Sequence, residues 1–175
     1  MIQVHEDVLI DPVAYRAAAL AQPCQSMTFG ATTFHGLALA PDPAFVTWFA
    51  AQYPEYEPTL TFLRTSPAGQ IEPNDIHTDV DMGDVTALLY LTPDPPPGDG
   101  TTFWRHRASG ATSGDAWMQD GHDRDAWVVA EHVPARFNRC VMFSAPLFHS
   151  RALVANYGHE ADARLVQVLF AKEKD

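Results

Sequence analysis

The chain has 175 residues, 46% of them hydrophobic and 19% charged, a balance that describes one globular domain with a sizeable core and not a disordered segment. Its formal net charge of -11, from 22 acidic and 11 basic residues, argues against nucleic acid or an anionic membrane as the main partner, since both reward clustered Lys and Arg. No apolar run approaches the 18 or so residues of a membrane span, MIQVHEDVLIDP makes a poor secretory signal, and Cys24 and Cys140 stand far apart, so a cytoplasmic protein without a disulfide framework is expected.

In chain order, two helices come first. DPVAYRAAALAQ begins with Asp11 as N-cap and Pro12 at the first helical position, followed by an Ala-rich body. DPAFVTWFAAQY repeats the grammar with Asp42 and Pro43, and its Phe45, Trp48, Phe49 and Tyr53 recur at helical spacing as a core face. From about residue 58 the character changes. LTFLRT, VTALLYLT, TTFWRH, AWVVAEHV, RCVMFS and RLVQVLFA each read as strands separated by Pro, Gly and Asp turns. PDPPPGDG at 93–100 is a rigid connector, and residues 106–125 form a long polar loop expected to be functional or mobile. His106 reads as a surface histidine, and Asp120, His122, Asp123 and Asp125 as a solvated acidic loop. Helices followed by six or more strands predict an α+β chain built on a β-sandwich or barrel.

The segment IHTDVDMGDVTALLYLT places charged groups at the mouth of an apolar strand, where burial is costly unless something pairs with them. Residues two apart in an extended segment point the same way, so His77 and Asp79 converge on one point. A calcium-loop reading of DVDMGD fails, because Gly83 takes the place of a ligand and the twelfth position is Tyr90, not Glu. His149, which follows the strand NRCVMFS 72 residues after His77, supplies a third ligand. Two histidines and one carboxylate with open positions form the facial triad of non-heme Fe(II) oxygenases. If the co-substrate is 2-oxoglutarate, its far carboxylate needs a cation, and Arg suits because its planar fork binds a carboxylate bidentately. Arg164 opens RLVQVLFA and shares a face with Val166 and Val168. Tyr90, on the face of Thr86 and Leu88, offers a hydroxyl to the same carboxylate or serves as a core tyrosine. Arg151, two residues after His149, is an alternative clamp or a seat for a substrate carboxylate.

With these residues in view, the chain resembles the Fe(II)/2-oxoglutarate-dependent dioxygenases, particularly their prolyl-hydroxylase-like branch, over roughly residues 58–172. The shared motifs are His77-Thr78-Asp79, Tyr90-Leu91, GDGTTFW at 98–104, NRCVMF at 138–143, His149 and Arg164, in that order. Asp99 stands where the family pattern has a second glycine, and the stretch from His149 to Arg164 is longer than the pattern, filled by NYGHEADA. The resemblance implies a single domain over 1–175, with helical support at about 1–57 packed on one sheet of a double-stranded β-helix (jelly-roll) core at about 58–172. It implies iron held by His77, Asp79 and His149, and 2-oxoglutarate held by Arg164 with Tyr90. It further implies hydroxylation of a small-molecule, amino-acid, peptide or protein substrate with O2, giving succinate and CO2 as co-products. A cupin-like or non-catalytic jelly-roll is the competing reading, against which the HxD spacing and the arginine clamp both weigh. No nucleic acid or membrane partner is expected.

Overall fold

The computed structural model describes residues 1–29, 32–72, 75–114, 117–151 and 153–175. In chain order its elements are β1 (Ile2–His5), α1 (Pro12–Leu20), β2 (Gln25–Phe29), β3 (Thr32–Ala38), α2 (Ala44–Gln52), β4 (Tyr56–Ser66), β5 (Val85–Tyr90), β6 (Gly100–His106), β7 (Trp127–Pro134), β8 (Cys140–Ser144), β9 (His149–Arg151) and β10 (Arg164–Glu173). They form a seven-stranded sheet, ordered β1-β8-β5-β10-β4-β3-β2, and a three-stranded sheet, β7-β6-β9. Every pairing between named strands is antiparallel.

Strand β10 sits at the centre of the larger sheet, and its composition explains why. From Arg164 to Ala171 it is buried without interruption, as a strand covered on both faces must be. Its odd-numbered residues, Leu165, Leu169 and Ala171, join Leu63, Ala87, Leu89 and Met142 in a cluster with Tyr15 and Ala19 of α1 and Phe45 and Phe49 of α2. Its even-numbered residues, Val166, Val168 and Phe170, face Phe103 and Val133 of the smaller sheet. Gln167 is the polar exception, and both ends of its amide are satisfied. Tyr15 donates to its Oε1 at 2.6 Å, and its Nε2 donates to Thr61 Oγ1 at 3.0 Å.

Helix α1 begins as its sequence dictates, with Asp11 as N-cap accepting from Ala14 N–H at 3.0 Å. Helix α2 begins one residue later than expected: Pro43 is its N-cap, without a side-chain cap bond, and Asp42 before it accepts from Ala44 N–H at 2.7 Å. The six expected strands are present as β4, β5, β6, β7, β8 and β10. Four more were not expected: β1, the β2–β3 hairpin and β9. These are short, polar or exposed, and lack the alternation that marks a half-buried strand. The first 52 residues therefore interleave three strands with two helices, and all three strands extend the larger sheet. Asn138, at φ 63, ties the N-terminal segment to the start of β8 through hydrogen bonds to the N–H and C=O of Leu9 (2.8 and 2.9 Å).

The long connection between β6 and β7, of which residues 115 and 116 lie outside the described residues, is packed against its own aromatic cluster. Trp117, Met118 and Ala126 lie against buried Ile76, Trp104, Trp127 and Phe148. Both cysteines are free, Cys24 exposed and Cys140 buried. Among the described residues no helix is long and apolar enough to cross a membrane.

Phe49 is fully buried between α2 and the larger sheet. Phe49→Ala is expected to cost about 3–5 kcal/mol and to lower the melting temperature by roughly 10 °C, whereas Val13→Ala on the exposed face of α1 shifts it by no more than about 2 °C. A thermal melt of both variants is the check.

Candidate metal centre

His77 and His149 face each other across an isolated antiparallel bridge outside the longer ladders. Each N–H donates to the other's carbonyl at 2.9 Å. In such a hydrogen-bonded pair both side chains project from the same face, and here the imidazole centroids lie 4.4 Å apart. Asp79, two residues on, donates its N–H to Ala145 O at 2.9 Å, just past the end of β8. The chain then turns, with Met82 N–H on Asp79 O at 2.8 Å. Gly83 follows because a Cβ there would lie 2.5 Å from Ala171 O of β10. The glycine that defeats the calcium-loop reading is thus required by close backbone approach.

The donor atoms of His77, Asp79 and His149 all lie within 4.8 Å of one another. His77 Nε2 is 3.7 Å from one Asp79 oxygen, and His149 Nε2 is 3.3 Å from the other. Adjacent ligands on an octahedral ion at about 2.1 Å stand about 3 Å apart, so modest contraction would close this set around one cation. Both Nδ1 atoms are already committed, each 2.9 Å from a backbone carbonyl, Asp75 O for His77 and Leu147 O for His149. That fixes the tautomer and turns both Nε2 lone pairs inward. Thr86 Oγ1 donates to Asp79 Oδ2 at 2.7 Å and orients the carboxylate.

The electrostatics agree with a site built for a cation. Burial and the neighbouring His149 push His77 down to about 4, so its ring is neutral and ready to ligate near neutral pH. Burial opposes charge on both His149 and Asp79, but their mutual attraction prevails, raising His149 and holding Asp79 at about 2. Two imidazoles and a carboxylate in this proximity suit a divalent ion with open positions on the side of His77, the least covered of the three.

The triad opens into a cavity of about 830 Å³ between the sheets. The inward row of β10, Arg164, Val166, Val168 and Phe170, forms one wall. Arg164 lies in this row as the alternation predicts, 4% exposed. Its Nε donates to Asp99 Oδ1 at 2.7 Å. Gly100 N–H also donates to Asp99 Oδ1 at 2.8 Å, and Tyr157 O–H donates to Oδ2 at 2.6 Å. The departure at position 99 is therefore the ion-pair partner of Arg164 and no mere turn substitution. Gly100, at φ +149, cannot carry a side chain, because a Cβ would meet Val133 O at 2.1 Å.

Tyr90 is buried, with its hydroxyl 2.7 Å from Thr101 Oγ1, and it is Thr101 that reaches the cavity. Arg151 reaches the cavity too, where its Nη1 donates to Glu72 at 3.0 Å and also to Asn156 Oδ1. Arg64 pairs with the other oxygen of Glu72. The extra stretch between His149 and Arg164 thus supplies two partners, Asn156 and Tyr157, to the charged end of the cavity. Sequence reasoning missed Arg64, although Leu60, Phe62 and Arg64 alternate inward like the residues of β10. It also missed the β2–β3 hairpin, whose Met27 and Phe34 line the cavity. The described residues of the 107–126 connection, by contrast, line none of it. His106 is buried and not exposed, stacked on Trp117 and 3.3 Å from Asp120.

Thr86→Val keeps shape and removes the donor to Asp79. Divalent-metal affinity measured by calorimetry is expected to fall about 10–100-fold with the melting temperature of the metal-free protein little changed.

No family model and no curated protein sequence matches the chain. Solved structures do. AviO1 from Streptomyces viridochromogenes Tue57 aligns with a TM-score of 0.61 at 15% identity, covering 96% of this chain and 87% of its own. The epimerase SnoN in complex with Fe3+, alpha ketoglutarate and nogalamycin RO aligns with a TM-score of 0.61 at 15% identity, covering 98% and 78%. EctD from S. alaskensis, solved with 2-oxoglutarate and 5-hydroxyectoine, aligns at 0.55 and 15% identity, covering 96% and 70%. At such identity the likeness shows the fold, an α+β jelly-roll.

Proposed function

We propose that the protein is a non-heme Fe(II)/2-oxoglutarate-dependent oxygenase of the prolyl-hydroxylase-like branch, hydroxylating a small molecule in the cytoplasm. The observation that carries this reading is the convergence of His77, Asp79 and His149 at one end of a cavity whose other end holds a buried arginine. Support comes from the fold, shared with 2-oxoglutarate-dependent enzymes such as SnoN, and from neighbours solved with nogalamycin RO and 5-hydroxyectoine, which favour a small-molecule substrate over a peptide. The free cysteines suit a reducing compartment.

His77, Asp79 and His149 would hold the iron. The chemistry supplied there is oxidative decarboxylation of 2-oxoglutarate by O2, to succinate and CO2, coupled to oxygenation of a substrate C–H bond. The chain's own part is positioning and exclusion of water. Asp99 grips Arg164 through Nε and Gly100 O takes a long contact from Nη2 at 3.5 Å, which leaves Nη1 as the donor for the far carboxylate of the co-substrate. Thr101, backed by the Tyr90 hydroxyl, adds a donor beside it. Val166, Val168, Phe170 and Leu88 line the path between the two ends and keep the local dielectric low.

Purified protein is expected to form succinate from 2-oxoglutarate only with Fe(II) and O2, and His77→Ala or Asp79→Ala should abolish this. Arg164→Met should raise the 2-oxoglutarate concentration for half-maximal turnover by at least about tenfold, the worth of a charge-assisted bidentate contact. A protein that neither turns over nor binds metal or 2-oxoglutarate would instead be the non-catalytic jelly-roll. Succinate formation that survives in His77→Ala would overturn the ligand assignment.

A further inference from the structure

The charged end of the cavity holds three arginines, Arg64, Arg151 and Arg164, against two carboxylates, Glu72 and Asp99. The groups fall into two sets at different depths. Arg164 and Asp99 form a one-to-one pair whose side chains are 5% and 2% exposed. Arg64 and Arg151 share the single carboxylate of Glu72, and their side chains are 20% and 22% exposed. The deep set is neutral, and the shallower set carries one uncompensated positive charge.

The acceptors of the shallow set are already used. Glu72 Oε1 accepts from Arg151 Nη1, from Asn156 Nδ2 at 2.9 Å and from Gln70 Nε2 at 3.2 Å, while Oε2 accepts from Arg64. Donors are left over. Arg64 Nε and Arg151 Nε and Nη2 have no hydrogen-bond partner among the described residues, while the Ser66 hydroxyl lies against Glu72. Unmatched guanidinium donors away from bulk water are costly unless an anion meets them. The set lines the same cavity as the metal triad. Beyond it the wall is apolar. Phe34 lies under the Arg64 guanidinium at 5.3 Å, Phe62 and Leu60 continue along β4, and Met27 and Leu60 are 41% and 43% exposed.

We propose that Arg64 and Arg151, braced by Glu72, Ser66 and Asn156, form a second anion seat that receives a carboxylate of the primary substrate, whose apolar body lies along Phe34, Phe62 and Leu60 with its reacting carbon toward the triad. The substrate class is a small carboxylic acid with a hydrophobic body. The inference rests on the oxygenase reading, in which 2-oxoglutarate takes the deep Arg164 seat.

The test is calorimetric titration of the Zn(II)-loaded protein saturated with 2-oxoglutarate. The probes are octanoate and hydrocinnamate, each beside its primary amide, which has the same body without the charge. Each acid is expected to bind at least about tenfold more tightly than its amide, as a charge-assisted contact requires. Arg151→Met and Arg64→Met should bring the two within about twofold, Arg151→Lys should restore part of the preference, and the affinity of these variants for 2-oxoglutarate should stay within about threefold of the parent. Equal binding of acid and amide by the parent protein overturns the seat. So does a loss of 2-oxoglutarate affinity in Arg151→Met and Arg64→Met as large as that in Arg164→Met, which would assign the cluster to the co-substrate. Failure of the parent protein to bind metal and 2-oxoglutarate at all is a different result and removes the oxygenase reading together with this one.

Discussion

The backbone pair between His77 and His149 is the contact on which the site depends. Two mutual N–H to carbonyl bonds at 2.9 Å, outside any long ladder, bring together residues far apart in the chain and turn both side chains to one face. A slip of either strand by one residue would turn its imidazole to the opposite face, away from the other. Much of the surrounding structure reads as bracing for this pair. Asp79 is pinned on Ala145, Phe148 N–H is held by Thr112 O, and Ile76 N–H by Gly121 O. The long 107–126 connection packs Trp117, Met118 and Ala126 against the cluster that holds Ile76 and Phe148. It therefore buttresses the ligand strands from outside instead of lining the cavity.

The second constraint is the cost of burying charge. A guanidinium removed from water is tolerated only with a counter-charge and matched acceptors. The cavity meets this unevenly: completely at Arg164, where Asp99 is itself held by Gly100 and Tyr157, and with one charge to spare at Arg64 and Arg151. Burial lowers Arg151 to about 10, helped by nearby Arg164 and opposed by Glu72, which reflects the crowding of positive charge there. The metal triad shows the converse pattern, with Asp79 and His149 stabilising each other's charged forms against desolvation. A net acidic protein thus keeps a cluster of arginines flanked by apolar walls.

The HxD spacing, the distal histidine, the inward arginine on the last strand and six of the ten strands were all legible in the sequence, because each rests on a local pattern: side-chain alternation, capping residues or turn chemistry. So was the aromatic stripe of α2, whose Phe45 and Phe49 are fully buried. Arg64 carried the same alternation signal as Arg164 but sat in a strand with no motif to mark it. Asp99 lay in a glycine-rich turn, where a carboxylate ordinarily points to water.

The sequence by itself determined the chemistry available: which residues can ligate, which can hold a carboxylate, and on which strands they lie. Only the tertiary structure decided which of them meet. Pairing of β10 with β4 brought Arg64 alongside Arg164, the 153–163 segment folded Asn156 and Tyr157 onto Glu72 and Asp99, and the polar β2–β3 hairpin became one wall of the cavity. These are contacts between residues distant in sequence, set by sheet register and by the need to satisfy buried charge, and neither leaves a periodicity or spacing for a sequence to display.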